Sequence, residues 1–328
     1  MKESLTALCE VFNESSETLY KQKGFKLTST KLMPVCAYIY ATSGRKVEPE
    51  RLQESLKLVE NSGGWMLSGL REAMQAPLAC TLAVSDDPAG TMNAASANLE
   101  MLKKTFQESK YLGLAAILLP KMGAAEEFDS KVSKGKAIFD CLKTRRKINP
   151  DAHDTLFTII AAYSDKPVEA IADEAEKLYA ELKSMTNKEY AKSCALILAC
   201  SDKPVREKTA RIKALYEALQ ADKKNRYSNG SEMAVLSALS LFDIDDKTLV
   251  DDILDASKLL STKKHYKGLL SYSRYSRMMH AAMMVTADNM TSELNVLATA
   301  AIYLSCFYDY ELDQKSTEAG VIASLMPY

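Results

Sequence analysis

The stretch Ser164–Lys183, SDKPVEAIADEAEKLYAELK, returns in altered form as Ser201–Gln220, SDKPVREKTARIKALYEALQ. Leu178, Tyr179 and Leu182 of the first copy stand 37 residues before Leu215, Tyr216 and Leu219 of the second, so a whole helical pattern recurs and not only four letters. A third copy starts at Ser85 (SDDPAGTMNAASANLEML) and sets Leu99 in the column of Leu178. A fourth starts at Asp245 (DDKTLVDDILDASKLL) with Thr248 in place of proline. Upstream of these junctions the columns Leu78, Phe157, Cys194, Ala238 and Leu82, Ala161, Leu198, Phe242 are apolar throughout. Weaker junctions at Ser43-Gly44, Lys121 to Gly123 and Ala287-Asp288 complete about seven units with a period of 37–44 residues. Two-helix units of this period are the signature of helical-repeat folds. The reading is all-α: one helical-repeat domain over 1–328, an α-α superhelix (solenoid) of about seven helical hairpins. A helix over Met1–Lys23 and a terminal one near Glu318–Met326 are added to it, and a closed α/α toroid with a central cavity is the alternative.

Within each unit the helix after the junction carries a single apolar stripe. Val168, Ile171, Ala175, Leu178, Tyr179 and Leu182 share one face, and Glu169, Asp173, Glu176 and Lys177 the other. That pattern predicts a half-exposed helix. The helix before the junction, as in KSCALILAC and DTLFTIIAAY, is apolar nearly all round and belongs between neighbours. SDKP itself reads as a helix start, because the first N–H groups of a helix lack partners, Ser and Asp can accept from them, and proline has no N–H to lose. A motif repeated at every junction is architecture; a catalytic group would occur once.

Forty-two basic and 43 acidic residues leave a formal charge of −1, so no global field draws the chain to nucleic acid or an anionic membrane. The seven cysteines, Cys9, Cys36, Cys80, Cys141, Cys194, Cys200 and Cys306, are odd in number, scattered and never in a C-x-x-C pair, which suits buried thiols in a reducing, cytoplasmic setting. The longest run of apolar residues and glycine, YLGLAAILL at 111–119, falls short of the about 20 residues a membrane span needs, and residues 1–20 lack the apolar stretch expected of a secretory signal. His153, His265 and His280 have no ligand spacing, and neither a nucleophile elbow nor a phosphate loop occurs. No catalytic, cofactor or metal residues are therefore assigned. The one Gly-Gly pair, Gly63-Gly64, leads into Trp65, the only tryptophan, which is expected as an anchor between two helices.

Three features invite chemistry. DIDD at Asp243–Asp246 matches the proton-donor string of certain terpene cyclases, but it lies on the capping register, where acids suit the helix dipole. Residues 256–287 hold six Lys or Arg and no acid, and Tyr266, Tyr272 and Tyr275 alternate with Lys263, Lys264, Lys267, Arg274 and Arg277. Such an alternation could grip phosphates and stack on bases, while a solvated loop with packed tyrosines is the plainer reading. His280 is the polar exception in the column of Leu78 and Phe157, with Arg277 one turn earlier, and a pocket there competes with a locally bonded core histidine.

The segments WMLSGLREAMQAPLACTLAVSDDP (65–88) and FNESSETLYKQKGFKLTSTKLMPVCAYIY (12–40) resemble a bacterial family described as domain of unknown function 4003. The resemblance implies a bacterial, cytosolic protein and brings no activity, cofactor or catalytic residue. The expected function is non-catalytic binding or scaffolding of a protein or peptide partner. The alternatives are an α/α-toroid enzyme or small-molecule binder with a pocket near His280, Arg277 and Arg274, with Asp243 in reach, and a nucleic-acid binder through Lys263–Arg277, which the near-zero charge disfavours.

Overall fold

A computed structural model describes residues 1–328 except 23–29, 63–70, 124, 222–225, 269–270, 292–293 and 326–328. Trp65 and the Gly63-Gly64 pair lie outside the described residues. The described residues form 15 α-helices and no strand. They are α1 (Glu3–Leu19), α2 (Met33–Ser43), α3 (Pro49–Asn61), α4 (Arg71–Ala83), α5 (Pro88–Thr105), α6 (Lys110–Leu118), α7 (Phe128–Arg145) and α8 (Thr155–Ala161). There follow α9 (Val168–Leu182), α10 (Lys188–Ala199), α11 (Val205–Ala221), α12 (Met233–Leu239), α13 (Asp246–Ser261), α14 (Arg274–Asp288) and α15 (Asn295–Leu325).

The expected junctions fall between helices or at their ends: Gly44 caps α2 at φ 66° in the left-handed region, whereas Ala287-Asp288 forms the last residues of α14, so that turn begins later than expected, at Asn289. The apolar helices α2, α6, α8, α10 and α12 are buried over nearly their whole length. The striped helices bury chiefly one face: in α9 that face is Ile171, Ala172, Ala175, Leu178 and Leu182, and Glu176, expected on the open face, is buried too, where Lys147 pairs with it at 3.0 Å. Burying each such Leu or Ile contributes about 1.5–3 kcal/mol.

The assembly is the closed form and not the open superhelix. Along the inner circle α2 packs on α4, α4 on α6, α6 on α8, α8 on α10, α10 on α12, α12 on α14, and α14 returns to α2. The outer helices follow in the order α3, α5, α7, α9, α11, α13, and α1 comes next, lying against α13 and against the inner helices α14 and α2. Polar contacts stitch the seam: Lys2 Nζ reaches Asp252 at 3.2 Å and Asp288 at 3.6 Å, Tyr20 OH meets Tyr272 OH at 2.8 Å, and Lys263 pairs with Glu10 at 2.5 Å.

Two further expectations change. The helices that pack most extensively are α1 with α2, α3 with α4, α9 with α10 and α13 with α14, so the compact hairpin runs from an outer helix to an inner one. The SDKP segments are the links from an inner helix to the outer helix of the next pair, and α1 is the outer member of the first pair, not an addition. The last helix also breaks the pattern. α15 does not join the outer circle; it packs against α12, α2, α8 and α6 from within. Val296, Leu297, Ala300, Ile302, Leu304, Cys306 and Phe307 are all buried, so the helix fills the hole the ring would otherwise enclose. The terminal helix expected near Glu318 is the continuation of α15, which runs unbroken to Leu325.

The junction chemistry is richer than a cap. Ser85, Ser164 and Ser201 each accept the N–H two residues on, from Asp87, Lys166 and Lys203, which closes a tight turn. In the literal SDKP copy before α9, Pro167 stands at the N-cap with no side-chain cap, whereas Asp87 caps Gly90 and Asp245 caps Lys247 and Thr248. A cation from the preceding outer helix then satisfies carbonyls at the end of the inner helix. Arg51 binds Ser85 O, Lys134 binds Ser164 O at 2.6 Å, and Arg211 binds Ser240 O at 3.0 Å and Phe242 O at 2.5 Å. At the Ser201 turn Lys166 and Lys208 share the carbonyl, at 2.8 and 2.9 Å, and both pair with Glu174. Positive charge at helix carboxyl ends opposes the dipole and fills orphan acceptors.

Candidate functional site

A cavity of 390 Å³ lies between the first turns of α15 and the carboxyl-terminal ends of α2, α4 and α6. Its wall carries Tyr38, Thr42 and Ser43 from α2, Thr81 from α4, Thr299 and Tyr303 from α15, and Lys121 from the turn after α6, among apolar residues such as Ile39, Ile117 and Val296. The hydroxyl protons are largely committed to the protein. Thr42 donates to Tyr38 O at 2.9 Å, Ser43 to Tyr40 O at 2.9 Å, Thr81 to Pro77 O at 2.9 Å, and Thr299 to Asn295 Oδ1 at 3.3 Å. What such groups offer a guest is oxygen lone pairs.

Lys121 is the one charged side chain among the described lining residues, and it forms no ion pair among the described residues. By area its side chain stays exposed, yet protein atoms crowd it at the cavity rim, and this partial desolvation lowers its pKa from the ordinary lysine value. Other lysines with lowered values differ in surroundings: Lys134 is bonded to Ser164 O and Lys208 to Glu174. Burial also raises the Tyr38 phenol, which a hydrogen bond with Thr299 only partly offsets, so that hydroxyl keeps its proton and donates it to Met290 Sδ at 3.8 Å.

The residues singled out from the sequence lie elsewhere. His280 is 1 % exposed, with Nδ1 2.7 Å from Tyr266 OH and its ring against Phe12 and Tyr272. Burial pushes its pKa down to about 3, and it lines none of the described cavities. Arg277 donates to Ser257 Oγ at 3.1 Å, and Arg274 lies over the ring of its neighbour Tyr275 on the surface. Tyr266 is buried against His280, and Tyr272 donates to Thr30 O at 3.0 Å, so neither is a stacking platform for bases. Lys263 is tied to Glu10, leaving Lys264 and Lys267 exposed on the loop. In the DIDD string Asp246 pairs with Arg211 and Asp243 is exposed. The Thr248 hydroxyl and neighbouring amides hold Asp245 below the usual carboxylate range, the reverse of what a proton donor needs.

At the other end of the ring α15 emerges through a dense polar cluster that the sequence did not announce. His153, in the turn before α8, bridges Asp151 at 2.6 Å and Glu311 at 3.0 Å and stacks on Tyr308. Burial disfavours its charge, but the two carboxylates overcome this and raise its pKa to about 9. Burial likewise works against the Glu311 carboxylate, and bonds from His153 and Lys110 hold it down at about 2. Asp154 is pushed up to about 6 by burial and by the Asp151 charge, and it receives Ser193 Oγ at 3.1 Å and Asp151 N at 3.1 Å. These groups satisfy one another, which suits an anchor for α15 better than a reaction centre.

Among the described residues no group of three or more His, Cys, Asp or Glu is arranged to hold a metal ion, and no helix is long and apolar enough to cross a membrane. No curated protein and no solved structure matches the chain. The model of one family of proteins of unknown function, DUF4003, matches residues 17–307, from the end of α1 to the buried half of α15, and the chain belongs to that family.

Proposed function

We propose that this chain binds a small hydroxylated molecule in the cavity beside α15, with Lys121 meeting an electron-rich oxygen of that ligand. The observation that carries the reading is the lone cation: Lys121 faces a neutral wall of hydroxyl oxygens with no carboxylate among the described lining residues. A volume of 390 Å³ is within the range of small-molecule sites, about 300–1,000 Å³. Lone pairs of Thr42, Ser43 and Thr81 favour a guest rich in O–H donors, and Ile39, Ile117 and Val296 would cover its carbon skeleton. The peptide-scaffold expectation has less support, because α15 takes the space a concave surface would have offered. A cytoplasmic setting remains our reading of seven free cysteines, of which Cys9, Cys36, Cys80, Cys194 and Cys306 are buried.

The test is a thermal-unfolding screen against free sugars, sugar acids and sugar phosphates. At least one should raise the midpoint of the wild-type chain, by the stabilisation that binding to the folded state alone confers. Lys121→Met should abolish that rise while leaving the ligand-free midpoint nearly unchanged. A full panel without effect, or an equal rise in Lys121→Met, would sink the proposal.

A further inference from the structure

Resting on the reading that the cavity takes a small hydroxylated ligand, the geometry points to one further assignment: Lys121 condenses with the carbonyl carbon of a hydroxy-aldehyde or hydroxy-ketone held there, forming an imine. In that step the Nζ lone pair attacks the carbonyl carbon and gives a carbinolamine. The C–O bond then breaks, and the oxygen leaves as water with both amine protons. No oxidant or reductant is consumed.

Three observations support it. Lys121 lines the cavity, so a carbonyl bound there is held beside this residue, and positioning of this kind replaces an encounter from solution. No carboxylate among the described lining residues pins the ammonium form, unlike Lys192 beside Asp151 or Lys166 beside Glu174. Partial desolvation then shifts Lys121 toward the free amine, the nucleophilic form. Hydroxyl oxygens of Thr42, Ser43 and Thr299 stand on the same wall and can hold the ligand's other hydroxyl groups.

The experiment is reductive trapping of the full chain at neutral pH with glyceraldehyde and cyanoborohydride, followed by peptide mapping as a function of time. A lysine whose pKa is lowered holds more free amine at neutral pH, so the adduct on Lys121 should form faster than the median of the surface lysines. Lys121→Arg should lose this fast adduct, and Thr299→Leu, which narrows the cavity, should slow it without moving the rates at Lys264 or Lys267. Adducts spread evenly over the lysines, or Lys121 modified no faster than Lys264, overturn the imine. If the screen above still finds a stabilising ligand in the wild-type chain while trapping is unselective, only the imine fails. If the screen finds none and trapping is unselective, the cavity reading fails with it.

Discussion

Replacing Gly135 with alanine should destabilise the ring, although helix propensity alone favours the change. In an exposed helix interior, Gly→Ala gains about 1 kcal/mol. Gly135 lies in α7 where that helix packs on α8, and an added Cβ would stand 2.8 Å from Ile159 Cα, 2.9 Å from Ile159 Cγ1 and 3.1 Å from Ile159 N. Two of those atoms are backbone, so relief requires α7 to move off α8 and cannot come from turning one side chain. Overpacking of this kind costs about 1–3 kcal/mol, and more when backbone must shift. The net expectation is a loss of about 1–2 kcal/mol, which lowers the unfolding midpoint by a few degrees in a chain of this size. Equilibrium urea unfolding followed by far-UV circular dichroism measures it. A gain of about 1 kcal/mol, as an exposed glycine would give, refutes the argument that the absence of a side chain at Gly135 sets the distance between the two circles.

Lys208→Ala removes an ammonium that is 1 % exposed and bound to Glu174, Leu198 O and Ser201 O, and should cost about 3–5 kcal/mol in the same assay because buried partners are left unmatched. His153 has its folded pKa raised from 6.5 to about 9, so its contribution is fully present below about pH 6.5 and is lost as pH rises through 9. His153→Gln should therefore flatten the fall of stability between those pH values, and a wild-type profile already flat there would contradict the bridge to Glu311. Tyr266→Phe leaves His280 Nδ1 without its 2.7 Å partner and should cost about 1–3 kcal/mol. Thiol titration should be slow in the folded chain, since burial pushes Cys9 and Cys194 up to about 12, and should reach all seven cysteines in denaturant; rapid native reaction of more than the half-buried Cys141 and Cys200 would count against the buried arrangement.

The candidate site was barely legible in the chain. Lys121 sits in a PKMG turn that marks a junction in the repeat, and its lack of a counter-charge is a property of the helices around it, not of its sequence neighbours. His280 was legible as a polar residue in an apolar column, yet whether such a residue borders space or aromatic rings depends on Phe12 of α1 and on Tyr266 and Tyr272. His153 carried no signal of its role in the sequence, because its partner Glu311 is 158 positions away. One signal was available and pointed to the plug: from Val296 to Tyr308 no residue is charged, whereas every outer helix carries charge on one face.

What the chain determined by itself is whatever acts over one or two turns of helix. The apolar stripe of α9, the all-round apolarity of α10, the serine turns and the positions of the junctions all follow from neighbours a few residues apart. Tertiary structure alone decided that the pairs run outer to inner, that α1 meets α13 to close the circle, and that α15 lies inside it. Closure depends on a small rotation between successive pairs accumulated over the whole circuit, and the fate of α15 depends on the width of the hole that this circuit leaves. Neither quantity belongs to any single stretch of residues.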